Sequence, residues 1–163
     1  MTLIKLSKSE PTVCMSDLEL LESDIGHPLP EFFKDFYLEQ NGGVSDKDWW
    51  DSGDEYEPIR VKKFKSVAVS GVDDAADTRF LGGCYVAMTS KAVIPQTLLP
   101  FAIDDGGNFF CLDLTEGNVC FYATDSFDPA SSFTANHAKA YRWLASSFEI
   151  FVKGLKDESE IDI

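Results

Sequence analysis

The sequence predicts an α+β fold: a single domain with a bent, mostly antiparallel sheet, N-terminal helices and a long C-terminal helix packed on it. Three observations lead there. Helical spacing of apolar residues occupies both ends of the chain, while short β segments punctuated by Gly- and Asn-rich turns fill the middle. The chain has 163 residues, 44% hydrophobic and 13% aromatic, enough for one core without metal or disulfide staples. The expected boundaries are 1–156 for the domain and 157–163 for an acidic tail.

The first helix is predicted from Ser16, which with Glu19 fits a capping box. Leu18, Leu21 and Ile25 follow on one face, Gly26 ends the run, and His27-Pro28-Leu29-Pro30 bars its continuation. Pro30 opens a second helix with Phe32, Phe33, Phe36 and Tyr37 as a broad apolar face, and Asn41-Gly42-Gly43 stops it. Residues 44–57 show neither helical nor strand period and read as a loop. Ile59 to Phe64 reads as a strand, and Val67 to Val69 as its extension or a second short piece. Asp73 to Asp77 reads as loop or a short helical turn. Cys84–Ala87, Ala92–Ile94 and Leu99–Ile103 are short strand candidates, with Pro95 and Pro100 marking edges.

Asp104 to Asn108 is a strong turn, Phe109–Leu114 a strand, Thr115–Asn118 a turn and Val119–Tyr122 a strand. That loop length sets Cys111 opposite Cys120 on one face and puts Phe110, Leu112, Val119 and Phe121 on the other, the core face. Thr134 to Leu155 has the stripe of one long helix: Ala140, Trp143, Leu144, Ser147, Phe148, Phe151 and Leu155. The tail from Asp157 is expected to be loose.

Twenty-eight acids against 14 Lys and Arg give a net charge of −14 and a pI near 4.3. Such a chain repels phosphate backbones, which argues against direct nucleic-acid binding, and attracts basic proteins. No apolar run reaches a membrane span or a signal peptide, so the expectation is a cytoplasmic protein without membrane contact. Cys14, Cys84, Cys111 and Cys120 lack zinc-type spacing and sit among apolar neighbours, as free thiols do.

Taken in order, four features resemble one family. They are Pro30-Glu31-Phe32-Phe33 with Asn41-Gly42-Gly43, the segment Leu99 to Leu114 built around Pro100-Phe101-Ala102 and Asp105-Gly106-Gly107-Asn108, Val119-Cys120-Phe121-Tyr122, and Phe148-Glu149-Ile150-Phe151. The arrangement, from about residue 16 to 155, resembles the SUKH superfamily, which includes the fungal Smi/Knr cell-wall regulators. The resemblance implies a SUKH-like domain, not an enzyme, working as an immunity protein that binds a toxin domain and occludes its active site. The toxins such members neutralise are often nucleases, and the net charge of −14 leads to the expectation of a basic cognate toxin here. The alternative is a regulatory protein-binding scaffold of the Smi/Knr type. Many members carry a His after the Val-x-Phe-Tyr strand, where Thr124 or Asp125 stands here, so no His-dependent role is assigned.

The candidate partner-binding residues are Asp46, Asp48, Trp49, Trp50, Asp51, Asp54, Glu55 and Glu57, with Asp104 and Asp105 adding to an acidic rim. Carboxylates in such an array imitate the phosphates a basic nuclease groove holds, and tryptophans serve as interface anchors. The competing reading is a solvated loop with its indoles folded onto the core; either way at least one Trp packs inward. Trp49→Ala with Trp50→Ala is therefore expected to loosen the complex and leave the fold.

Asp104 to Asn108 lacks the ligand series and terminal bidentate Glu of a calcium loop, so no metal is expected. No phosphate-binding Gly loop or Gly-x-Ser-x-Gly nucleophile turn is present, and neither His27 nor His137 has a nucleophile marked beside it. No catalytic residue and no cofactor is assigned, although a deep pocket with convergent polar groups would revive an enzyme reading. Arg60, Lys62, Lys63 and Lys65 read as the outer face of a strand, balancing nearby acids. The expected state is a monomer or weak dimer.

Overall fold

The computed structural model describes residues 4–53, 57–69, 77–124 and 128–161. Among them, β1 (Leu6–Ser7) pairs antiparallel with β2 (Val44–Ser45), and β3 (Trp49–Trp50) with β4 (Ile59–Arg60). The main sheet is antiparallel and runs in chain order: β5 (Lys63–Phe64), β6 (Leu98–Ile103), β7 (Phe109–Asp113), β8 (Val119–Tyr122) and β9 (Tyr141–Ala145). Gly43 bridges Phe64 and carries the β1–β2 ribbon onto the β5 edge. The helices are α1 (Met15–Ile25), α2 (Glu31–Glu39), α3 (Leu81–Ser90), α4 (Phe133–Ala140) and α5 (Phe148–Gly154). The α+β class and the N-terminal helices are as the sequence predicts.

The β7–β8 hairpin has the predicted register: Cys111 faces Cys120, Phe110 faces Phe121 and Leu112 faces Val119. One sheet face carries Phe110, Leu112, Val119 and Phe121 into the larger core, with Leu18 and Leu21 of α1, Phe33 and Tyr37 of α2, and Phe148 and Phe151 of α5. Aromatic edges and faces lock this core; Phe101 meets Phe148 edge-on at 5.1 Å between centroids and stacks with Phe64 at 5.9 Å. The other face is covered too. Phe109, Cys111, Cys120 and Tyr122 pack with Cys84, Ile94, Leu98 and Ala140 in a second cluster.

The predicted C-terminal helix is three elements: α4, the edge strand β9 and α5. Ser147 breaks it, its side chain accepting the Ile150 backbone N–H at 3.1 Å to start α5 afresh. Cys84–Ala87 is not a strand but the middle of α3. That helix is buried on several sides, giving Leu81 and Tyr85 to one core and Cys84 to the other, so it lacks the one-sided stripe of a surface helix. Ala92–Ile94 is a turn. The predicted strand Ile59–Phe64 divides into β4 and β5, which belong to different sheets. Residues 44–57, read as a loop, hold β2 and β3.

Pro100 sits inside β6, where a bulge separates it from Ala102 and where β5, opposite Ala102 and Ile103, no longer runs alongside. The first helix caps on Cys14 rather than Ser16: Asp17 accepts the Cys14 N–H at 3.0 Å, and Cys14 is exposed rather than among apolar neighbours. All four cysteines are free. Residues 73–76 of the predicted Asp73–Asp77 turn lie outside the described residues.

Asn41-Gly42-Gly43 joins three parts of the molecule. The buried Asn41 side chain donates to the Pro11 and Val67 carbonyls, both at 2.9 Å, and accepts the Val67 N–H at 2.7 Å. Its own carbonyl accepts from Glu10 N and Ser66 Oγ. Gly42 has φ +72°, and a Cβ there would lie 2.7 Å from the Lys65 carbonyl oxygen, so only glycine fits. Asn41→Ala strands a buried N–H and two carbonyls and is expected to cost about 2–4 kcal/mol in urea unfolding.

Burial also sets the response to alkali. It raises the phenols of Tyr37 and Tyr122, the latter to about 12, and the thiols of Cys84 and Cys111. The unfolded chain releases such protons near the ordinary values of 9.0 for Cys and 10.0 for Tyr, and the folded chain only at higher pH. The stability they give is therefore full below pH 9 and lost as pH rises. Lys65, lowered by burial, opposes this as a single group. Denaturation across pH 7–11 is expected to show stability held to about pH 9 and then falling as pH rises further.

Candidate functional site

The segment read as an acidic loop is shaped by its own carboxylates. Asp46 Oδ1 accepts the backbone N–H of Lys5 and of Lys47, both at 2.9 Å, fixing the turn between β2 and β3. Asp51 Oδ1 accepts from Gly53 N at 3.0 Å after β3. The ordered turn lets β3 pair with β4, so Trp49 lies opposite Arg60 and Trp50 opposite Ile59.

This pairing puts the cation of β4 between two acidic segments. Arg60 Nε donates to Asp48 at 2.8 Å, and its NH1 reaches Asp105 at 3.4 Å. These contacts, the bond to Asp48 foremost, raise the guanidinium pKa. The predicted balancing of acids by the basic stretch is thus seen at Arg60. Asp105 is well exposed, while Asp104 is engaged in its turn, accepting from Gly106 N, Asn108 N and Asn108 Nδ2. At the other end, Arg142 of β9 donates to Ser52 Oγ at 2.8 Å and to the Glu57 carbonyl at 3.5 Å. Arg60 therefore joins Asp48 to Asp105, Asp46 and Asp51 lie on the segment flanking Asp48, and Arg142 ties that segment at Ser52 and Glu57. Asp54 and Glu55 lie outside the described residues.

The two tryptophans part company. Trp50 is 8% exposed, stacks on Phe151 of α5 at 5.1 Å and presses on Gly154, where a Cβ would lie 2.8 Å from its ring. Its indole Nε1 has no hydrogen-bond partner among the described residues. Trp49 is half-buried. Its backbone exchanges hydrogen bonds with Lys156, at 3.0 and 2.8 Å.

That bridge brings the chain's end to the site, a neighbourhood the sequence does not reveal. Residues Glu158–Glu160 form a 3₁₀ turn capped by Asp157, and Ile161 is buried, so the tail is ordered through Ile161 where a loose segment was expected. Hydrogen bonds from Ser159, its backbone N–H first, hold the Asp157 carboxyl below the usual range, with a smaller contribution from Lys47. The acids of 157–160 thus flank the β3 edge. The sequence signal was Asp157 with Glu160, a capping pair like any at a helix start.

Lys65 is the other departure. It was expected on an outer strand face but is 6% exposed, on the sheet face that holds the second core cluster. His137 packs among Phe133, Tyr141 and Tyr122 rather than beside a nucleophile. Among the described residues, no group of three or more His, Cys, Asp or Glu is placed to hold a metal, and no helix is long and apolar enough to cross a membrane.

Fold and site together define an α+β domain whose most organised surface feature is an acidic patch built on a β-ribbon. Residues 15–154 match the SMI1 / KNR4 family (SUKH-1), and the chain belongs to this family. It is also 29% identical over 152 residues to the SPbeta prophage-derived uncharacterized protein YokK of Bacillus subtilis (strain 168), a similarity spanning 86% of this chain and 73% of that protein.

Because Trp50 is a core residue, the double Trp→Ala variant does not separate binding from folding. Trp50→Ala alone is expected to cost about 3–5 kcal/mol in chemical denaturation. Trp49→Ala is expected to stay within about 1.5 kcal/mol of wild type, which makes it the useful interface probe.

Proposed function

We propose that the protein is an immunity protein: it binds a basic toxin domain, a nuclease by the chemistry of the patch, and neutralises it by covering the active site. One observation carries this reading. Arg60 gathers Asp48 and Asp105, 57 positions apart in the chain, into a patch that Asp46, Asp51 and Glu57 extend. A nuclease groove holds phosphates with Lys and Arg, and fixed carboxylates occupy the same potential without being substrates. Membership of the SUKH-1 family supports a protein-binding role. In this reading Asp54, Glu55, Asp104 and the tail acids 157–160 strengthen the field, and Trp49 supplies the apolar contact. The protein acts in the cytoplasm, by occupancy rather than chemistry, as a monomer or weak dimer. An interface near ~1,600 Å² suits a stable inhibitor.

The test is capture of the protein encoded beside this gene, with association rates measured at low and high salt. The expected result is rapid association at low ionic strength that slows at least tenfold by about 0.5 M salt. Glu57→Lys with Glu158→Lys, both at exposed positions whose carboxylates fix no turn, is expected to slow association about tenfold with little change in Tm. Tight binding indifferent to both salt and charge reversal would remove the patch from the mechanism.

A further inference from the structure

On the other side of the sheet lies a feature of opposite sign. Lys65 is more than nine-tenths buried. Its ammonium donates to the Thr78 carbonyl and lies 5.5 Å from the centroid of the Phe109 ring, with the Cys84 thiol a favourable electrostatic neighbour. No carboxylate among the described residues pairs with it, and burial lowers its pKa. An ammonium withdrawn from water without a counter-ion is costly, and a carbonyl, a thiol and a ring face offset that cost only in part.

Beside it opens a cavity of about 230 Å³ lined by Lys63, Lys65, Thr78, Arg79 and Ile103. Three of the chain's 14 Lys and Arg residues converge there, and no acid among the described residues lines the wall. Arg79 is held by Asp77 through Nε at 3.2 Å and by stacking on Phe80. Lys63 is exposed at the mouth. Ile103 supplies the apolar wall.

We propose that this cavity is a binding site for a small organic carboxylate with a short apolar body. The carboxylate meets the Lys65 ammonium with Lys63 and Arg79 around it, and the apolar body lies on Ile103. The volume is below the ~300–1,000 Å³ typical of sites for drug-sized ligands, which restricts the occupant to a few heavy atoms beyond its carboxylate. The site is independent of the toxin-binding reading, because it lies on cationic residues that the acidic patch does not use. The same carboxylate chemistry is available from a free metabolite or from the C-terminus of a peptide.

The test is titration of the full chain, followed by backbone amide and Ile methyl NMR, with hexanoate, neutral hexanamide, inorganic phosphate, and a short apolar peptide with a free or amidated C-terminus. Saturable shifts at Lys63, Lys65 and Ile103 with hexanoate, at least tenfold weaker with hexanamide and phosphate, are the expected result. Tighter binding of the free-acid peptide than of hexanoate would assign the site to a chain terminus; the reverse order would assign it to a metabolite. Lys65→Met, which replaces the buried ammonium by an apolar group of similar length, is expected to keep the fold and weaken hexanoate about 10–100-fold. Lys63→Gln, at an exposed position, is expected to weaken it severalfold and serves if Lys65→Met fails to fold. Equal binding of hexanoate and hexanamide, undiminished binding to Lys63→Gln, or no saturable shift in the wild-type chain would overturn the proposal.

Discussion

The fold depends on how the chain leaves α2. At Asn41 the helix has ended, and within three residues the backbone must turn, meet the N-terminal segment and deliver an edge to β5. The Asn41 side chain satisfies both backbone groups of Val67 and the Pro11 carbonyl in a space closed to water. Gly42 and Gly43 let the backbone pass within contact of Lys65 and Ser7. Gly43 then exchanges hydrogen bonds with Phe64 at 3.0 and 2.8 Å, so β2 departs at a fixed angle. Everything at the acidic patch descends from that departure: β2 leads to the Asp46 turn, the turn to β3, and β3 to the pairing that places Arg60. The residues that most suggested the family are thus the ones on which its local geometry rests.

What the sequence revealed follows from how locally each element is determined. The β7–β8 hairpin was legible because the turns at 104–108 and 115–118 bracket β7, leaving one register that buries Phe110, Leu112, Val119 and Phe121 together. The C-terminal region was not, because Leu144, Phe148, Phe151 and Leu155 satisfy a helical period by coincidence. Their burial comes from a strand and a separate helix. Trp143, placed on that stripe, is 55% exposed on the edge strand. In α3 the failure was the converse: a helix buried on several sides has no period to read. At the site, the acidic run itself was legible. The Arg60–Asp105 contact and the Trp49–Lys156 bridge were not, since they join residues 45 and 107 positions apart and are decided by tertiary packing.

The two faces of the molecule divide the electrostatics. Most carboxylates remain in water, where a charge costs little, and they impose an overall negative field. Lys65 is carried inward by the register of β5, which sends Phe64 to the larger core and Lys65 to the opposite face. Substituting it would disturb none of the contacts that shape the acidic patch, so the two features are separable by mutation.

The carboxylates of the patch also differ in what their bonding leaves available. An acceptor bond from a backbone N–H, as at Asp46, Asp51, Asp104 and Asp157, fixes a carboxylate in place without cancelling its charge. An ion pair, as at Asp48 with Arg60, fixes it and cancels much of its distant field. Arg60 therefore organises the patch and dilutes it at once, and the groups that a cationic partner meets at full strength are the backbone-bonded ones. Because those groups are already held, docking need not order them, and the entropic cost that weakens flexible acidic tails is reduced. A rigid array of this kind discriminates by geometry as well as by sign, which separates one cationic groove from another where net charge alone does not.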